Sequence, residues 1–518
     1  MNFYVTTKKY SHKIKTADEL KKIIGPLPRT KKVIMCHGVF DVVHPGHLRH
    51  LLFAKEKAQI LIASITSDKF VTKDKYRPYV PQELRAANLA ALEMVDYVII
   101  DNNPEPLNNL KLLKPDFFGK GYEYSSHVVN SKTGDESKIL ESYGGKIIFT
   151  PGDIIYSSTA LINSDPPSIG LDKLMTLMEK EKIKFQDLKE TLKNLSKATV
   201  HVIGDTIVDS YTHTSVYGGQ NKTPTPSVRY ENRKDYVGGA GIVSKHIRAT
   251  GAKVIFSTVL GDDQYTKFVL KDLKKTNVES KAIIDSTRPT TNKNVIIAAN
   301  HRIAKIDTLD NNAISDAILN QLVQSTANTK CDAVIFSDFR HGIFNKRSIK
   351  KLIGAIPEKT YKVADSQVAT RWGNILDFPE FDLITPNEKE ARFSLGDQDS
   401  GIRPLAAALY DSSKCKTLIL KLGAKGVIVC KNNSHEDLNS FFVVESFSKN
   451  AIDPVGAGDA LIAYSTLSML ATKSEAISAI LGSLAAACEC EFNGNIPVFP
   501  QNVLNKIKEI EKQAEYSG

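Results

Sequence analysis

Short apolar runs alternate with longer amphipathic stretches along most of this chain. In the first 165 residues, the apolar runs have the length and β-branched content of buried strands, and the stretches between them repeat apolar positions at helical spacing. The predicted strands are Val33–Cys36, Ile60–Ile65, Tyr97–Ile100 and Lys146–Thr150, and the predicted helices are Leu48–Lys57, Glu83–Met94 and Lys138–Tyr143. Because parallel strands need helical crossovers, the alternation predicts a doubly wound α/β domain over residues 1–165.

The same alternation resumes at Thr199 and predicts a second doubly wound α/β domain over residues 199–518. Its predicted strands are Val200–Ile203, Val254–Thr258, Val334–Ser337, Lys362–Ala364, Leu383–Thr385, Leu418–Lys421 and Val427–Cys430. The less regular stretch Thr206–Tyr236, rich in Tyr, Thr and Gly, predicts a small β lid.

The two predicted domains are separated by a turn-forming segment, residues 163–170, which reads NSDPPSIG. The charged amphipathic stretch Leu171–Lys197 follows and predicts a pair of helices. We therefore interpret residues 166–198 as a linker with connecting helices.

Length and composition agree with two folded domains. A single core rarely grows beyond ~250–300 residues, and this chain has 518, of which 42% are hydrophobic and 24% charged. The net charge of +10 is spread without a block of like charges, so we expect phosphorylated substrates and no nucleic-acid partner. No apolar run has the length of a membrane span or the form of a signal peptide, so we expect no membrane partner and a cytoplasmic protein.

The six cysteines show no spacing typical of a zinc site or of a CxxC pair, and we expect reduced core thiols. They are Cys36, Cys331, Cys415, Cys430, Cys488 and Cys490.

A first candidate site follows strand Val33–Cys36, where residues 37–47 read HGVFDVVHPGH and lead into a helix. Pro45 and Gly46 suit the first turn of that helix, where proline loses no hydrogen bond and glycine lets a phosphate approach. His44 and His47 are three residues apart, so one helical turn brings both imidazoles to one side of the positive helix end. The arrangement predicts a polyphosphate site, whereas two capping or surface histidines are the alternative.

Further residues can serve the same phosphates. Lys73, Arg77 and Arg85 supply cations downstream of the two histidines. Ser157, Ser158 and Thr159 follow strand Lys146–Thr150 and offer hydroxyls and amides at the start of another helix. Taken singly, such residues are more often solvated charges or helix caps.

A second candidate site lies at residues 453–459, DPVGAGD, immediately before an apolar helical run. Gly456, Ala457 and Gly458 leave backbone amides uncovered at a helix start, which predicts an anion hole for a transferring γ-phosphoryl group. Asp459 then lies where it can accept the proton of the attacking hydroxyl. A Gly- and Asp-containing turn before a helix is common, but the full string is much more specific.

Residues 30–165 resemble the nucleotidyltransferase superfamily with the HxGH signature, and most closely the adenylyltransferase part of the bifunctional heptose-phosphate kinase/adenylyltransferases. The strings GVFDVVHPGH, LLKPDFFGKGYEY and GGKIIFTPGDIIYSSTALI carry this resemblance in the family's order. It implies that a sugar-1-phosphate attacks the α-phosphorus of ATP, with Mg²⁺ assisting. It assigns His44, His47, Lys73 and Arg85 to catalysis, and the nucleotide and phosphates to Gly38, Phe40, Gly46, Arg77, Lys120, Ser157, Ser158 and Thr159.

Residues from about 199 to 500 resemble the ribokinase-like sugar kinases, with the heptose-7-phosphate kinases again nearest. The resemblance assigns Asp459 to catalysis and Asp205, Asp209, Gly238, Gly239 and Asp338 to the sugar. Asn387 and Glu390 match an NxxE pattern associated with phosphate and, indirectly, with Mg²⁺. Thr223–Pro226 is similar to the proline-rich lid segment of these kinases. By the same resemblance, the lid-like region Thr206–Tyr236 implies a homodimer formed through the kinase domain.

Four features depart from the resembled family. The transferase precedes the kinase here, which reverses the family's usual order. The GGAAN motif reads Gly238 to Ile242, GGAGI, and lacks an asparagine that would touch a sugar hydroxyl. The Asp-Pro-Lys stretch reads Asp365-Ser366-Gln367, and a phosphate-gripping arginine is replaced by Lys305. The reaction types survive these changes, whereas the exact sugar does not follow.

Three hypotheses remain open. The leading one is a bifunctional enzyme that phosphorylates a heptose phosphate at its anomeric hydroxyl and converts a sugar-1-phosphate into ADP-heptose for a surface glycan. The second keeps both reactions but uses CTP and another sugar or polyol phosphate. The third is a nucleotide-sensing regulator without turnover, which the retained Asp459, His44 and His47 disfavour.

Overall fold

The computed structural model describes residues 9–71, 78–121, 131–150, 170–216, 227–299, 301–368, 373–432, 440–448, 453–492 and 494–517. The chain forms two compact units, the first built mainly from residues up to Asp172 and the second mainly from Lys173 onward. Across these described ranges, no helix is both long and apolar enough to cross a membrane.

The first unit is built on one parallel five-stranded sheet with the order β3-β2-β1-β4-β5. Its strands are β1 (Val33–Gly38), β2 (Ile60–Thr66), β3 (Tyr97–Asp101), β4 (Phe117–Gly121) and β5 (Lys146–Thr150). Its helices are α1 (Ala17–Ile24), α2 (Pro45–Lys57), α3 (Gln82–Ala90), α4 (Leu107–Leu113) and α5 (Ser131–Glu141). The doubly wound α/β fold expected for this part of the chain is confirmed.

Both faces of this sheet are covered, as expected for a parallel sheet with helical crossovers. Ile34 and Cys36 pack into one buried cluster, and Val33 and Met35 pack into a second cluster. This division follows from the strand period of two, because successive side chains point to opposite faces.

The sequence missed one strand of this sheet and two of its helices. Strand β4 reads FFGKG, and two glycines and a lysine in five residues hide the apolar pattern. Gly119 is nevertheless required there, because a Cβ at this position would lie 2.7 Å from the Cys36 Sγ atom of the neighbouring strand. Helices α1 and α4 are short and were not predicted.

The second unit contains a nine-stranded sheet with the order β10-β9-β6-β13-β14-β15-β16-β17-β18. All pairings are parallel except β16 with β17 and β17 with β18. The strands are β6 (Thr199–Gly204), β9 (Lys253–Leu260), β10 (Glu279–Ile284), β13 (Ala333–Asp338), β14 (Tyr361–Ser366), β15 (Leu383–Ile384), β16 (Thr417–Lys421), β17 (Val427–Cys430) and β18 (Phe441–Val444).

Helices cover this sheet and include the predicted pair that precedes it. They are α6 (Gly170–Lys180), α7 (Phe185–Asn194), α8 (Ala240–Ala249), α9 (Gln264–Lys275), α10 (Asp316–Asn328), α11 (Lys346–Gly354), α12 (Glu388–Leu395), α13 (Ile402–Ser413), α14 (Ala457–Thr472), α15 (Glu475–Glu489) and α16 (Pro500–Ser517). Leu177 of α6 and Leu192 of α7 are buried in the same apolar cluster as Tyr464 of α14, so the helix pair contributes to the core of the second unit.

A separate four-stranded sheet forms the lid of the second unit, with the order β12-β11-β7-β8. Its strands are β7 (Thr206–Val216), β8 (Val228–Gly239), β11 (Asn292–Ala298) and β12 (His301–Thr308). The described parts of the predicted lid segment Thr206–Tyr236 supply only half of this sheet, and Thr223–Pro226 lies outside the described residues. Strands β11 and β12 were not predicted, and every residue of β12 is exposed, so β12 carries no buried alternation for a pattern to detect.

The tight junction between β6 and β13 gives a stability prediction. A Cβ added at Gly204 would lie 2.3 Å from the Ser337 carbonyl oxygen and 2.7 Å from the Ala240 Cβ. Overpacking of this kind costs about 1–3 kcal/mol, so Gly204→Ala lowers the free energy of unfolding of the second unit by that amount. Urea denaturation measures the change, with hydrogen exchange in β6 assigning the transition.

The matched control is Gly354→Ala at the end of α11, where an added methyl group meets nothing within 4 Å. We expect this variant to unfold at nearly the urea concentration of the unaltered chain. Equal stability of the two variants would contradict the packing argument.

Candidate functional sites

The first candidate site lies where strand order reverses in the first sheet, between β1 and β4. Ligands of doubly wound folds bind outside the carboxyl ends of the strands at such a point. Strand β1 ends at Gly38 and β4 ends at Gly121, and their parallel register places Lys120 near the same edge. The HxGH segment follows β1 directly, so the fold brings it to this crevice.

His44 and His47 meet at the start of α2. The two ring centroids are 3.9 Å apart, and the His47 ring also lies 5.0 Å from the Phe40 ring. His44 is the N-cap residue of the helix, and its Nδ1 atom accepts a hydrogen bond of 3.1 Å from the Gly46 amide. Because Nδ1 is the acceptor, the proton of a neutral His44 resides on Nε2, which becomes the donor atom.

Burial lowers the pKa of both imidazoles, and that of His47 falls to about 4. Both rings are therefore neutral at pH 7 and offer N–H donors rather than full positive charges. Phe40, itself buried, adopts a left-handed backbone conformation with φ 48° between β1 and the histidines. A Cβ at Gly38 would lie 3.3 Å from the Phe40 ring, so these two residues shape the loop that precedes the HxGH turn.

Arg85 is fully buried in α3 instead of reaching into open solvent. Its guanidinium donates to the Val80 and Thr66 carbonyl oxygens at 2.9 Å each, to the Val39 carbonyl oxygen, and to the Asp68 carboxylate at 2.6 Å. In this arrangement Arg85 ties the loop after β1 to the ends of neighbouring elements. The guanidinium, which was expected to contact phosphates, therefore donates its described hydrogen bonds to protein oxygens.

Lys120 forms an ion pair with Glu136 of α5 at the edge of the first sheet. The remaining residues expected at this site lie outside the described residues: Lys73, Arg77, Ser157, Ser158 and Thr159. The described part of the site therefore consists of the β1 loop, the two imidazoles and the lysine at the end of β4.

The second candidate site is a cavity of about 840 Å³ in the second unit. Its wall includes Asp209, Gly239, Asn387, Glu390, Gly456, Ala457, Gly458 and Asp459, so the structure brings together most of the residues expected there. The lid contributes one side through β7 and β11, and the start of α14 contributes another. A volume of this size suits a nucleotide together with a small substrate.

The start of α14 carries the DPVGAGD string. Gly456 is the N-cap residue and has φ 88°, a conformation that a residue with a Cβ rarely adopts. Space reinforces the need for glycine, because a Cβ at Gly456 would lie 2.8 Å from the Glu489 Oε1 atom. The first-turn amides that follow have no partner within the helix and carry its positive dipole end, which is how a protein binds phosphate oxygens.

Asp459 lies in the first turn of α14 and faces the cavity. Burial raises the pKa of Asp459 well above its ordinary value, and the nearby Asp365 and Asp209 carboxylates raise it further while Lys421 opposes them. A buried carboxylate with a raised pKa that lines a cavity is suited to accept a proton from a hydroxyl group.

Glu489 lies next to the anion hole and has only 1% of its surface exposed. Its Oε1 atom accepts a hydrogen bond of 3.3 Å from the Ile496 amide. Burial raises the pKa of Glu489 to about 8, and the Asp459 and Asp453 carboxylates add to the effect. A buried carboxyl group therefore titrates close to the amides of Gly456–Gly458.

Asn387 and Glu390 form a reciprocal capping box at the start of α12. The Asn387 Oδ1 atom accepts from the Glu390 amide at 3.0 Å, and the Glu390 carboxylate accepts from the Asn387 amide at 2.6 Å. Burial raises the pKa of Glu390 to about 7. Within the described ranges, no cluster of three or more His, Cys, Asp or Glu residues is arranged to hold a metal ion alone.

The lid places Asp209 against the cavity on β7. Its Oδ2 atom accepts a hydrogen bond of 2.6 Å from the Asn495 side chain. Gly238 makes room for this carboxylate, because a Cβ there would lie 2.0 Å from Asp209 Oδ2. Gly239 has φ 59° and lies in the cavity wall. The two glycines therefore shape the site around Asp209.

Asp453 links the lid to the anion-hole segment. Its carboxylate accepts from the Tyr211 hydroxyl at 3.1 Å and lies 3.1 Å from the Arg302 guanidinium of β12. Lys293 and Lys305 of the lid also line the cavity. Sequence reasoning missed these lid cations as a group because β11 and β12 were not predicted.

Asp205 and Asp338 are buried at strand ends and do not line the cavity. The Asp205 carboxylate accepts from the Phe339 and His341 amides at 3.0 and 3.2 Å. The Asp338 carboxylate accepts from the Ser366 hydroxyl at 2.7 Å and pairs with Arg340. Both carboxylates tie adjacent strand ends together instead of facing the open cavity.

Lys421 and Asp365 were not predicted as site residues, although both line the cavity. The Lys421 ammonium lies 2.9 and 3.1 Å from the two Asp365 carboxylate oxygens. Each residue ends or follows a predicted parallel strand, which is a signal that sequence reasoning could have used.

The geometry of the second unit is that of a small-molecule phosphotransferase. It combines a doubly wound α/β domain with a β lid, and a carboxylate lies beside an anion hole at a helix start. The family follows from a model described as pfkB family carbohydrate kinase, which matches residues 197–502. The chain belongs to this family. A second model, described as cytidylyltransferase-like, matches residues 35–163.

Curated relatives combine the same two parts. The bifunctional protein HldE of Rhodopseudomonas palustris (strain BisB5) is 25% identical over 61% of this chain and 64% of its own length. The bifunctional protein HldE of Campylobacter concisus is 36% identical over 26% of this chain and 29% of its own length. The chain therefore matches less than two thirds of the length of these relatives.

Among solved structures, the second unit is similar to phosphofructokinase-2 from Escherichia coli in its tetrameric inhibited form. The match has a TM-score of 0.50 at 16% identity and covers 61% of this chain and 99% of the other. At this identity the likeness shows the fold, and the ribokinase-like architecture expected for the second unit is confirmed.

The placement of Arg85 leads to a stability prediction for the first unit. Removing one partner of a buried ion pair costs about 3–5 kcal/mol, so we expect Arg85→Met to lower the free energy of unfolding of this unit by that amount. Chemical denaturation measures the loss. Arg49→Met, at an exposed position of α2, is the control and should unfold like the unaltered chain. A stable Arg85→Met protein that loses only turnover would contradict this view.

The titration of Glu489 leads to a pH prediction. Because its folded-state pKa is about 8 and its unfolded pKa is about 4.3, the native state retains a proton that the unfolded chain releases between these values. Stability from this group is therefore full at acidic pH and falls as the pH rises toward 8. We expect Glu489→Gln to stabilise the second unit relative to the unaltered chain by an amount that grows between pH 5 and pH 8 and then levels off, measured by urea unfolding. Parallel stability curves for the two proteins would exclude this effect.

Proposed function

We propose that this chain is a bifunctional enzyme that makes a nucleotide-activated sugar. The kinase unit transfers the γ-phosphoryl group of ATP to the anomeric hydroxyl of a heptose phosphate. The transferase unit moves AMP from ATP to a sugar-1-phosphate and releases pyrophosphate, which gives ADP-heptose. The observation that carries the proposal is the cavity in which Asp459 and the Gly456–Gly458 amides face the carboxylate and cations of the lid.

In the kinase step, the anomeric oxygen attacks the γ-phosphorus while its proton passes to the Asp459 carboxylate. The bond between this phosphorus and the β-phosphate oxygen breaks, and ADP leaves. The amides of Gly456, Ala457 and Gly458 stabilise the charge that develops on the transferring group. The raised pKa of Asp459 supports its role as the base.

The lid supports a phosphorylated acceptor. Asp209 is the proposed ligand of a sugar hydroxyl, because a carboxylate accepts hydrogen bonds from hydroxyl groups. Lys293, Arg302 and Lys305 line the same cavity, and such cations suit an acceptor that already carries a phosphate group. In this proposal Gly238, Gly239, Asp205 and Asp338 shape the sugar site without contacting the reacting atoms.

The family of the second unit implies ATP with Mg²⁺, which would neutralise phosphate charge when bound. Glu390 fits such an ion because its buried carboxylate lines the cavity beside the anion hole. We propose that Glu390 holds the ion indirectly, through water, since its Oε2 atom already accepts from the Asn387 amide.

In the transferase step, the proposed donors to the nucleotide phosphates are the His44 Nε2 atom, the His47 ring and the amides near Gly46. Lys120 is the proposed contact of the sugar phosphate. Lys73, Arg77, Ser157, Ser158 and Thr159 are proposed to complete the phosphate site, and Arg85 to hold the loop of Gly38 and Phe40. Neutral imidazoles that lie 3.9 Å apart support this arrangement.

A second candidate uses CTP at the transferase site and another sugar or polyol phosphate as substrate. One observation favours it: the model that matches residues 35–163 is described as cytidylyltransferase-like. We also propose a homodimer formed through the lid, because Val216, Tyr230 and Ile306 of its strands are between 56% and 65% exposed.

One coupled assay tests both functions. The purified chain is incubated with Mg²⁺, heptose-7-phosphate and ATP, and the formation of a 1,7-bisphosphate is followed by mass spectrometry. In parallel, pyrophosphate release is compared with ATP and CTP on a panel of sugar-1-phosphates. No bisphosphate with any phosphosugar would defeat the kinase proposal, and faster release with CTP would favour the second candidate.

The two active sites should be separable by point variants. Asp459→Asn keeps the shape of the side chain but removes the base, so we expect kcat of the kinase to fall about 10²–10⁴-fold. Nucleotide binding to the kinase unit should persist, as measured by calorimetry. A kinase that keeps its full rate would rule out Asp459 as the base.

His47→Ala provides the reciprocal control. It removes a donor from the HxGH site, so pyrophosphate release should fall about 10²–10³-fold while the kinase rate stays unchanged. Each variant thus reports on one site and tests the integrity of the other.

A further inference from the structure

Lys421 lies in the wall of the kinase cavity, between the ends of two strands and the starts of α12 and α14. Lys421 ends strand β16, and its Nζ atom lies 2.9 and 3.1 Å from the two carboxylate oxygens of Asp365 at the end of β14. The Lys421 amide donates to the Pro386 carbonyl oxygen, and a parallel bridge pairs Lys421 with Asn387. The backbone of Lys421 is thereby anchored beside the turn that carries Glu390.

The ammonium group of Lys421 also lies next to the anion hole. A Cβ built on Gly458 would be 3.3 Å from Lys421 Nζ, so the charge adjoins the first turn of α14. Only 16% of the Lys421 side chain is exposed, and what is exposed lines the cavity. A positive charge held beside uncovered amides is well placed to contact an oxygen of the same phosphoryl group.

Three carboxylates surround the Lys421 ammonium group. Asp365, Glu390 and Asp459 are the carboxylates that act on it. At Gln367, where the resembled kinases carry the lysine of their Asp-Pro-Lys stretch, the cavity wall of this chain is neutral. Lys421 therefore supplies a cation from the nine-stranded sheet, whereas Lys293, Arg302 and Lys305 belong to the lid.

We propose that Lys421 is a catalytic residue of the kinase: its ammonium donates a hydrogen bond to the transferring phosphoryl group, and Asp365 positions it. This inference rests on the proposed kinase function. The oxygen–phosphorus bond to the acceptor forms as the bond to the β-phosphate oxygen breaks, and the acceptor proton goes to Asp459. Lys421 stays protonated throughout and stabilises charge that grows on the phosphoryl oxygens.

The test compares Lys421→Met with Lys425→Met in the full chain. The second variant removes the same charge from an exposed position that is four residues away and outside the cavity wall. For Lys421→Met we expect kcat of the kinase to fall about 10²–10³-fold, with a much smaller change in KM for ATP, because the contact is made mainly in the transition state. Lys425→Met should keep the kinase rate, and both variants should keep the transferase rate.

A pH profile separates catalysis from a purely structural role. Three charged groups act on Asp459: the Lys421 ammonium and the Asp365 and Asp209 carboxylates. Asp459 in turn acts on Glu489, which lies next to the anion hole. Loss of the Lys421 charge, which lowers the pKa of Asp459, raises the pH at which Asp459 loses its proton. We expect the acidic limb of kcat/KM to move to higher pH in Lys421→Met and to stay in place in Lys425→Met.

The outcomes are distinguishable from failure of the proposed function. If the unaltered chain phosphorylates no phosphosugar, the kinase proposal fails. If the unaltered chain is active and Lys421→Met keeps kcat within about threefold, only the role of Lys421 is overturned.

A structure of the unaltered chain decides the case if Lys421→Met does not fold. Crystals are grown with ADP, Mg²⁺ and aluminium fluoride, which imitates the transferring phosphoryl group. Lys421 Nζ within hydrogen-bond distance of a fluoride supports the inference, and an ammonium that stays on Asp365 away from the fluoride overturns it.

Discussion

The kinase site depends on the first-turn amides at the start of α14, of which the Ala457 amide also lies 3.3 Å from the Pro454 carbonyl oxygen. Glycine is needed at position 456 because the backbone there is left-handed and because a Cβ would lie too close to Glu489. The other parts of the cavity are arranged around this helix start. Asp453 ties it to the lid, Asp459 projects from its first turn, and Lys421 adjoins Gly458. A cavity with this much buried charge is stable only because most of its carboxylates have partners.

In the first unit, the candidate phosphate site is formed by two imidazoles at a helix start. Burial keeps His44 and His47 neutral, which fits the oriented donors that we propose them to be, and the hydrogen bond from the Gly46 amide determines which nitrogen of His44 carries the proton. Their positions depend on the loop after β1, which Arg85 holds by donating to the Val39 carbonyl oxygen while it also donates to the Val80 and Thr66 carbonyl oxygens. In both units, therefore, some residues hold the proposed substrate-binding groups in position without being expected to contact substrate themselves.

Sequence reasoning found the parts of the fold with strong periodicity. The buried strands Ile60–Thr66 and Ala333–Asp338 are continuous apolar runs, and the structure contains them nearly as predicted. It missed Phe117–Gly121 because two glycines interrupt the pattern, and it missed His301–Thr308 because an exposed lid strand has no buried face. For the sites, the motif residues at 44–47 and 453–459 were found because their spacing carries chemistry by itself.

The sequence by itself determined two doubly wound domains and led to the prediction of two helix-start anion sites, since both depend on local periodicity and on short motifs. Only the tertiary structure decided which distant residues join those motifs. Lys421 and Asp365 are 56 positions apart, and their pairing follows from strand order in the sheet. The same holds for Arg85, whose burial could not be read from an ordinary helical pattern, because burial depends on the elements that pack around a side chain and not on its neighbours along the chain.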